Sequence, residues 1–118
     1  MREGRSFRLS LRIVFYREDG DWIAHCLETD LIGDGPTMRE ALDSLWDATI
    51  IQFDASLRWK TPANFFLPAP GRSFEMYALG RDVARAEMDV PAERLAEIDG
   101  DLDEITGREY VGGDLAAV

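Results

Sequence analysis

The chain has 118 residues and a formal net charge of −10, and this length suits one domain with its own hydrophobic core. Hydrophobic residues make up 46% of the chain, which excludes a disordered acidic protein. The single cysteine and the single histidine exclude an internal disulfide and an ordinary zinc site.

The distribution of charge and of apolar residues bears on partners and location. Residues 87–118 hold 10 of the 23 acidic side chains but 2 of the 13 basic ones, so most of the net charge lies at this end. Negative charge repels phosphate, and DNA binding is therefore not expected. No apolar run follows the first eight residues, and none reaches about 18 residues anywhere. We therefore expect a cytoplasmic protein with no signal peptide and no membrane span.

Three strands are predicted at the start of the chain. Every second residue from position 7 to position 15 is apolar, which is the period of a strand with one buried face. Asp19-Gly20 is a pair typical of hairpin turns, and residues 22–27 and 31–33 supply the second and third strands. Because the connections are too short for parallel crossovers, we expect an antiparallel meander.

A long helix is predicted after the meander. Thr37 and Glu40 stand at the spacing of a capping box, in which each side chain binds the backbone N–H of the other residue. The residues that follow form an apolar stripe at helical spacing, which continues to about residue 56. The stripe contains Ala41, Leu42, Leu45, Trp46, Thr49, Ile50 and Phe53. This helix is expected to cover one face of the meander, so that residues 1–57 form a β-β-β-α core.

The second half, residues 58–118, is predicted to be an extension packed as part of the same domain. Residues 61–71 contain three prolines, which favour an extended arm. Residues 73–79 are predicted to form a strand. Residues 83–90 either pair with that strand or form a helical turn.

A final helix is predicted to begin near Pro91, since proline suits the first turn of a helix. Its apolar stripe ends before Gly107, and the tail from Arg108 onwards is expected to fray. The stripe consists of Leu95, Ile98, Leu102 and Ile105. The predicted fold class is therefore α+β, a three-stranded meander with a covering helix and a C-terminal extension of strand and helix.

His25 and Cys26 are the side chains that first suggest nucleophilic chemistry. Adjacent residues of a strand point to opposite faces, so these two cannot share a hydrogen bond. We predict that Cys26 is a small buried side chain on the helix-covered face. His25 is then placed on the other face, at the surface or in an interface, and no catalytic residue is predicted.

Three carboxylates, Glu28, Asp30 and Asp34, lie close together near the third strand. Converging carboxylates can hold magnesium for phosphoryl transfer, which makes a metal-dependent enzyme an alternative. The preferred interpretation is that they keep the turns soluble, and no metal or cofactor is expected.

The sheet face opposite the helix is predicted to be a partner or dimer interface, because an uncovered apolar face requires something to pack on it. The alternative is that the second half of the same chain covers it. The residues assigned to this interface are Arg8, Arg12, Tyr16, Ile23 and His25, together with Phe65 and Phe66 from the proline-rich arm.

Residues 22–28 (WIAHCLE), 31–37 (LIGDGPT) and 40–42 (EAL) closely resemble the HicB-like antitoxin family. The resembling pattern is an aromatic-x-Ala strand, a Cys-Leu-Glu step, a Gly-Asp turn and a Glu-Ala-Leu helix, and it covers about half of the chain, residues 7–57. Residues 64–70 also look like a proline-rich extension found in some members.

The resemblance implies a three-stranded sheet with a covering helix, likened to a degenerate ribonuclease H-like core, and no catalysis by the module itself. It also implies neutralisation of a small basic RNA-cleaving toxin and, in classical members, a C-terminal DNA-binding domain. Residues 58–118 show no clear helix-turn-helix, and their negative charge argues against docking on a duplex.

The leading hypothesis is therefore a non-enzymatic, homodimeric protein-binding module that acts as an antitoxin. Acidic side chains of the predicted last helix are assigned to the surface that faces a basic partner. They are Glu93, Glu97, Asp101 and Asp103. The alternatives are the metal-dependent enzyme and a purely structural domain that forms homo-oligomers.

Overall fold

The described part of the chain forms a mixed sheet with helices on both faces. A computed structural model describes residues 8–58, 66–88 and 101–111. Its elements in chain order are β1 (Arg8–Glu18), β2 (Asp21–Cys26), β3 (Ile32–Gly35), α1 (Met38–Arg58), α2 (Gly71–Leu79), β4 (Arg81–Asp82), a 3₁₀ turn (Arg85–Met88) and β5 (Asp101–Glu109).

The predicted meander and its covering helix are confirmed. β1 pairs antiparallel with β2, and β2 pairs antiparallel with β3. Asp19 and Gly20 have φ angles of 53° and 89°, the left-handed backbone that a two-residue hairpin turn requires. The register of β1 and β2 places Ile13 opposite Cys26, and both side chains are buried in the cluster beneath α1.

β5 lies beside β1 in a parallel arrangement, and the order of the sheet is β3-β2-β1-β5-β4. The predicted last helix is therefore wrong over residues 101–106, which belong to β5, and residues 91–100 lie outside the described part. Ile105 packs against the core under α1 as a strand residue, because the second edge of β1 requires a hydrogen-bonding partner. The expected frayed tail is also wrong at Arg108, which belongs to β5.

Residues 71–79 form a helix, so the strand predicted over residues 73–79 is wrong. Ser73 and Met76 are the buried residues of α2, while Phe74 and Tyr77 pack against the cluster on that face of the sheet. The spacing of these four residues gives a helix one apolar side. Of the two possibilities for residues 83–90, the helical turn is observed at Arg85–Met88.

The two helices bury opposite faces of the sheet. The cluster under α1 consists of Leu11, Ile13, Phe15, Ala24, Cys26, Ala41, Leu42, Leu45, Trp46, Phe53 and Met88. The cluster under α2 consists of Val14, Leu27, Ala69 and Met76. The α+β class is thus observed, with a mixed sheet and two helices. Neither described helix combines the length and the apolar character needed to cross a membrane.

Candidate functional site

The glycine-rich segment between β3 and α1 is a packing device. A Cβ atom at Gly33 would overlap the backbone of α1 at Ala41 and Leu45, so glycine allows the helix to rest directly on β3. The Glu40 backbone N–H donates to Thr37 Oγ1 at 3.1 Å, which is one of the two hydrogen bonds of the predicted capping box. This segment therefore seats α1 on the sheet.

The three carboxylates of the proposed metal site have different surroundings. Glu28 accepts two hydrogen bonds from Arg12, one from the backbone N–H at 2.8 Å and one from Nε at 2.7 Å. Asp30 contacts His25, while Asp34 is an exposed residue of β3. Within the described ranges, no group of three or more His, Cys, Asp or Glu side chains is arranged to hold a metal ion.

The sheet face predicted to be open is covered by this chain itself. Ala69 and α2 pack on Val14 and Leu27, and the Ala69 backbone N–H donates to the carbonyl oxygen of Leu27 at 2.8 Å. The Arg12 guanidinium lies 5.2 Å from the ring centroid of Phe74 on α2. The alternative of coverage by the second half is therefore correct where α2 lies.

The other residues assigned to the interface are distributed unevenly. Tyr16 and Ile23 are half-buried, and Phe66 is exposed. The side chain of Arg8 and all of Phe65 lie outside the description. His25 is 5% exposed, so its predicted surface position is wrong, because α2 covers the face to which it points.

His25 lies between a carboxylate and a hydroxyl group. Its Nε2 is 2.7 Å from Asp30 Oδ1, and its Nδ1 is 3.4 Å from Ser73 Oγ. Asp30 follows β2 with a left-handed φ of 58°, which aspartate tolerates better than most residues. An ionised carboxylate only accepts hydrogen bonds, so Nε2 carries a proton, and in the neutral imidazole Nδ1 then accepts from the Ser73 hydroxyl.

A cleft of about 340 Å³ lies against this group. His25 and Ser73 line it together with Arg17, Arg72 and Tyr16. Burial raises the pKa of the Tyr16 hydroxyl above its usual 10.0, and the negative charge of Glu18 acts in the same direction. The Arg17 guanidinium lies over the ring of Trp22, which packs against the cluster under α1. The cleft therefore combines buried polar groups with the guanidinium group of Arg72.

Sequence reasoning missed Ser73 and Arg72 as members of this site. No motif connects them with His25, which is 48 residues away from Ser73 in the chain. The available signal was His25 itself, because a histidine on a covered strand face requires polar partners.

Cys26 lies on the opposite face from His25, as strand alternation predicts. It is buried among the residues under α1, and this burial raises the pKa of its thiol above the usual value of 9.0. The expected small buried side chain is confirmed.

Two of the four residues of the predicted acidic helix face belong to a strand. Asp101 and Asp103 belong to β5, since this segment pairs with β1, and their side chains are not described. Glu93 and Glu97 lie outside the described residues.

Comparisons of the chain with protein-family models, curated proteins and solved structures gave no match.

Proposed function

We propose that this chain is a cytoplasmic HicB-like protein-binding module and an antitoxin against a small basic RNA-cleaving toxin. The observation that carries the proposal is the unit formed by β2, β3 and α1. Residues in the HicB-like pattern are those that assemble this unit. Ala24 of β2 and Leu42 of α1 are buried in the cluster between sheet and helix, and Gly33 of β3 closely approaches α1. The residues that carry the resemblance thus fall within the unit formed by β2, β3 and α1.

The outward side of α1 supplies a surface suited to a basic partner. Glu40, Asp47, Ile51 and Asp54 are exposed, and their spacing places them along one side of a helix. We call these four residues the α1 stripe. Ile51 is 69% exposed and provides an apolar contact between carboxylates, while the carboxylates favour encounter with a cationic protein.

The same proposal includes a homodimer. Because α2 covers the sheet face first assigned to the dimer interface, we place the contact between the two subunits elsewhere. Phe66 and Leu67 are adjacent exposed apolar residues just before α2, and we assign the contact to them. DNA, metal ions and cofactors are not part of the proposed function.

The decisive experiment is co-expression with small basic proteins encoded beside this chain, followed by co-purification and a growth assay for neutralised toxicity. Ile51→Arg places positive charge in the α1 stripe and is expected to weaken binding by about tenfold or more. Leu79→Arg is the matched control, because Leu79 is 68% exposed and lies at the end of α2, on the other side of the sheet.

Binding that resists Ile51→Arg, or that falls equally with Leu79→Arg, would remove the α1 stripe from the proposal. If no such protein binds, the antitoxin function is wrong. Self-association without any such partner would favour the purely structural hypothesis.

A further inference from the structure

We infer that the cleft beside α2 is an acyl-transfer site in which Ser73 is the nucleophile, His25 the general base and Asp30 the residue that positions the base. This activity goes beyond the proposed binding function. The acyl-transfer site lies on the opposite face of the sheet from α1 and shares no residue with the α1 stripe.

The hydrogen-bond chain has the polarity that nucleophilic catalysis requires. Asp30 accepts from His25 Nε2 at 2.7 Å, which leaves Nδ1 as the acceptor 3.4 Å from Ser73 Oγ. A base that is oriented by a third group can take the proton of the hydroxyl as it attacks. A separation of 3.4 Å is typical of such pairs before a substrate is bound.

The burial of the three groups also fits this use. Ser73 and His25 are 6% and 5% exposed and both line the cleft, so a bound substrate meets them where little water competes. The Asp30 side chain is 43% exposed, and it approaches His25 from the ring nitrogen that does not face Ser73. Nucleophile and positioning group thus contact different nitrogens of one imidazole.

Positive charge stands beside the nucleophile. Arg72 precedes Ser73 in α2 and lines the same cleft. α2 begins after Pro70, and the Ser73 N–H donates to the Pro70 carbonyl oxygen at 2.9 Å. The N–H groups of Gly71 and Arg72 are then the first-turn donors that lack an intrahelical acceptor. Such donors stabilise the oxyanion that forms during acyl transfer.

The reaction is the hydrolysis of a carboxylic ester. Ser73 Oγ attacks the carbonyl carbon while its proton moves to His25 Nδ1, and the C–O bond to the alcohol then breaks as His25 returns the proton to the leaving oxygen. Water next attacks the acyl-serine and gives its proton to His25, and release of the acid returns that proton to Ser73.

The cleft indicates a small, uncharged substrate. Its volume of about 340 Å³ lies at the lower end of ligand sites, so a short acyl chain fits better than a lipid. The Arg17 guanidinium lies over the ring of Trp22, which packs against the cluster under α1, so it does not face the cleft. Arg72 and Glu18 therefore give the lining one charged side chain of each sign, which favours an uncharged ester.

The test uses the full chain with p-nitrophenyl acetate as the ester and a fluorophosphonate as the covalent probe. The expected result is ester hydrolysis with saturation and a single phosphonyl adduct, which peptide mass spectrometry locates on Ser73. Ser73→Ala should abolish the adduct and lower the hydrolysis rate about 100-fold or more. Ser44→Ala, on α1 and outside the cleft, is the matched control and should leave both unchanged.

Asp30→Asn separates a positioning role from a structural one. It should slow labelling of Ser73 about tenfold or more while the unfolding temperature stays within a few degrees of the wild type. An unlabelled Ser73 in the folded wild type, or hydrolysis that persists in Ser73→Ala, would overturn the inference. Neither outcome bears on toxin binding, which the α1 stripe variants test separately.

Discussion

At the scale of single residues, Gly33 controls the distance between β3 and α1. A methyl group at this position would lie 2.7 Å from Leu45 Cα and still closer to backbone atoms of Ala41 and Leu45. Backbone atoms cannot turn aside as a flexible side chain does, so the helix itself must move. The glycine of the HicB-like pattern is therefore required by contact between elements.

We predict that Gly33→Ala lowers the free energy of unfolding by about 3 kcal/mol, the upper part of the range for overpacked sites. Urea unfolding followed by far-UV circular dichroism measures this change. Gly71→Ala is the control, because a Cβ at Gly71 meets no atom within 4 Å. Equal stability of the two variants would contradict the close approach of α1.

A second prediction concerns Cys26 and alkaline pH. Burial raises the pKa of its thiol in the folded chain above the ordinary 9.0, so the unfolded chain ionises at lower pH than the folded one. The contribution of Cys26 to stability is therefore complete below about pH 9 and is lost as the pH rises through the folded pKa. Tyr16, whose pKa is also raised, acts in the same direction at higher pH.

The measurement is the free energy of unfolding at about pH 7 and about pH 10, on either side of the thiol's ordinary pKa. Cys26→Ala should be less stable at neutral pH, since it leaves a small cavity, but should lose less stability between the two pH values. An unchanged pH dependence in this variant would show that Cys26 is not the group responsible.

At the scale of elements, α2 is held on the sheet by polar and aromatic contacts as well as by apolar burial. The Arg12 guanidinium binds Glu28 and lies over the rings of Phe74 and Tyr77, at 5.2 and 5.9 Å from their centroids. The Tyr77 hydroxyl is 2.7 Å from Thr106 Oγ1 on β5. These contacts connect α2 to both neighbouring strands, β1 and β5.

We predict that Arg12→Ala costs about 1 kcal/mol of stability, since the ion pair is partly exposed and the ring contacts add a comparable amount. Amide hydrogen exchange should become faster in α2 than in α1, because the loss is local. Arg81→Ala serves as the control, as Arg81 is 71% exposed and 3.8 Å from Glu109. Equal acceleration of exchange in both helices would argue against this local role.

At the scale of the whole molecule, β1 is the central strand and depends on both halves of the chain. β2 pairs with one edge of β1, β5 pairs with the other, and the helices cover its two faces. The sequence predicts a β-β-β-α core over residues 1–57, with residues 58–118 packed as part of the same domain. The pairing of β5 with β1 makes the second half part of the same sheet.

We therefore predict that a fragment of residues 1–58 does not unfold cooperatively, because it leaves one edge and one apolar face of β1 exposed. Thermal unfolding by circular dichroism should show a sloping curve with no transition. The full chain, in which β5 pairs with that edge of β1 and α2 packs on that face, is the comparison and should show one sharp transition. A sharp transition in the short fragment would contradict this dependence.

Much of the fold was predictable because it depends on neighbours in the chain. The alternation in β1, the Asp19-Gly20 turn and the Thr37 cap are all local features, and the structure contains each of them. The apolar stripe of α1 likewise requires only that one side of the helix be buried. The opposite faces of His25 and Cys26 follow from the geometry of any strand.

The same reasoning failed where distant segments meet. Residues 73–79 contain aromatic and apolar side chains suited to either a strand or a helix, and contact with Val14 and Leu27 favours the helix. Residues 102 and 105 match a helical stripe, yet pairing with β1 makes them strand residues. Ser73 became a candidate for chemistry only because α2 places its hydroxyl against His25.

The sequence by itself determined the β-β-β-α order, its turn, its cap and the pattern resembling HicB-like antitoxins. Tertiary structure alone decided that β5 completes the sheet, that α2 covers the face expected to be open, and that Ser73 joins His25 in the lining of one cleft. The physical reason is range. Backbone geometry and side-chain periodicity depend on residues a few positions apart. Strand pairing and burial depend on segments that are distant in the chain, and the local sequence does not show which of them will meet.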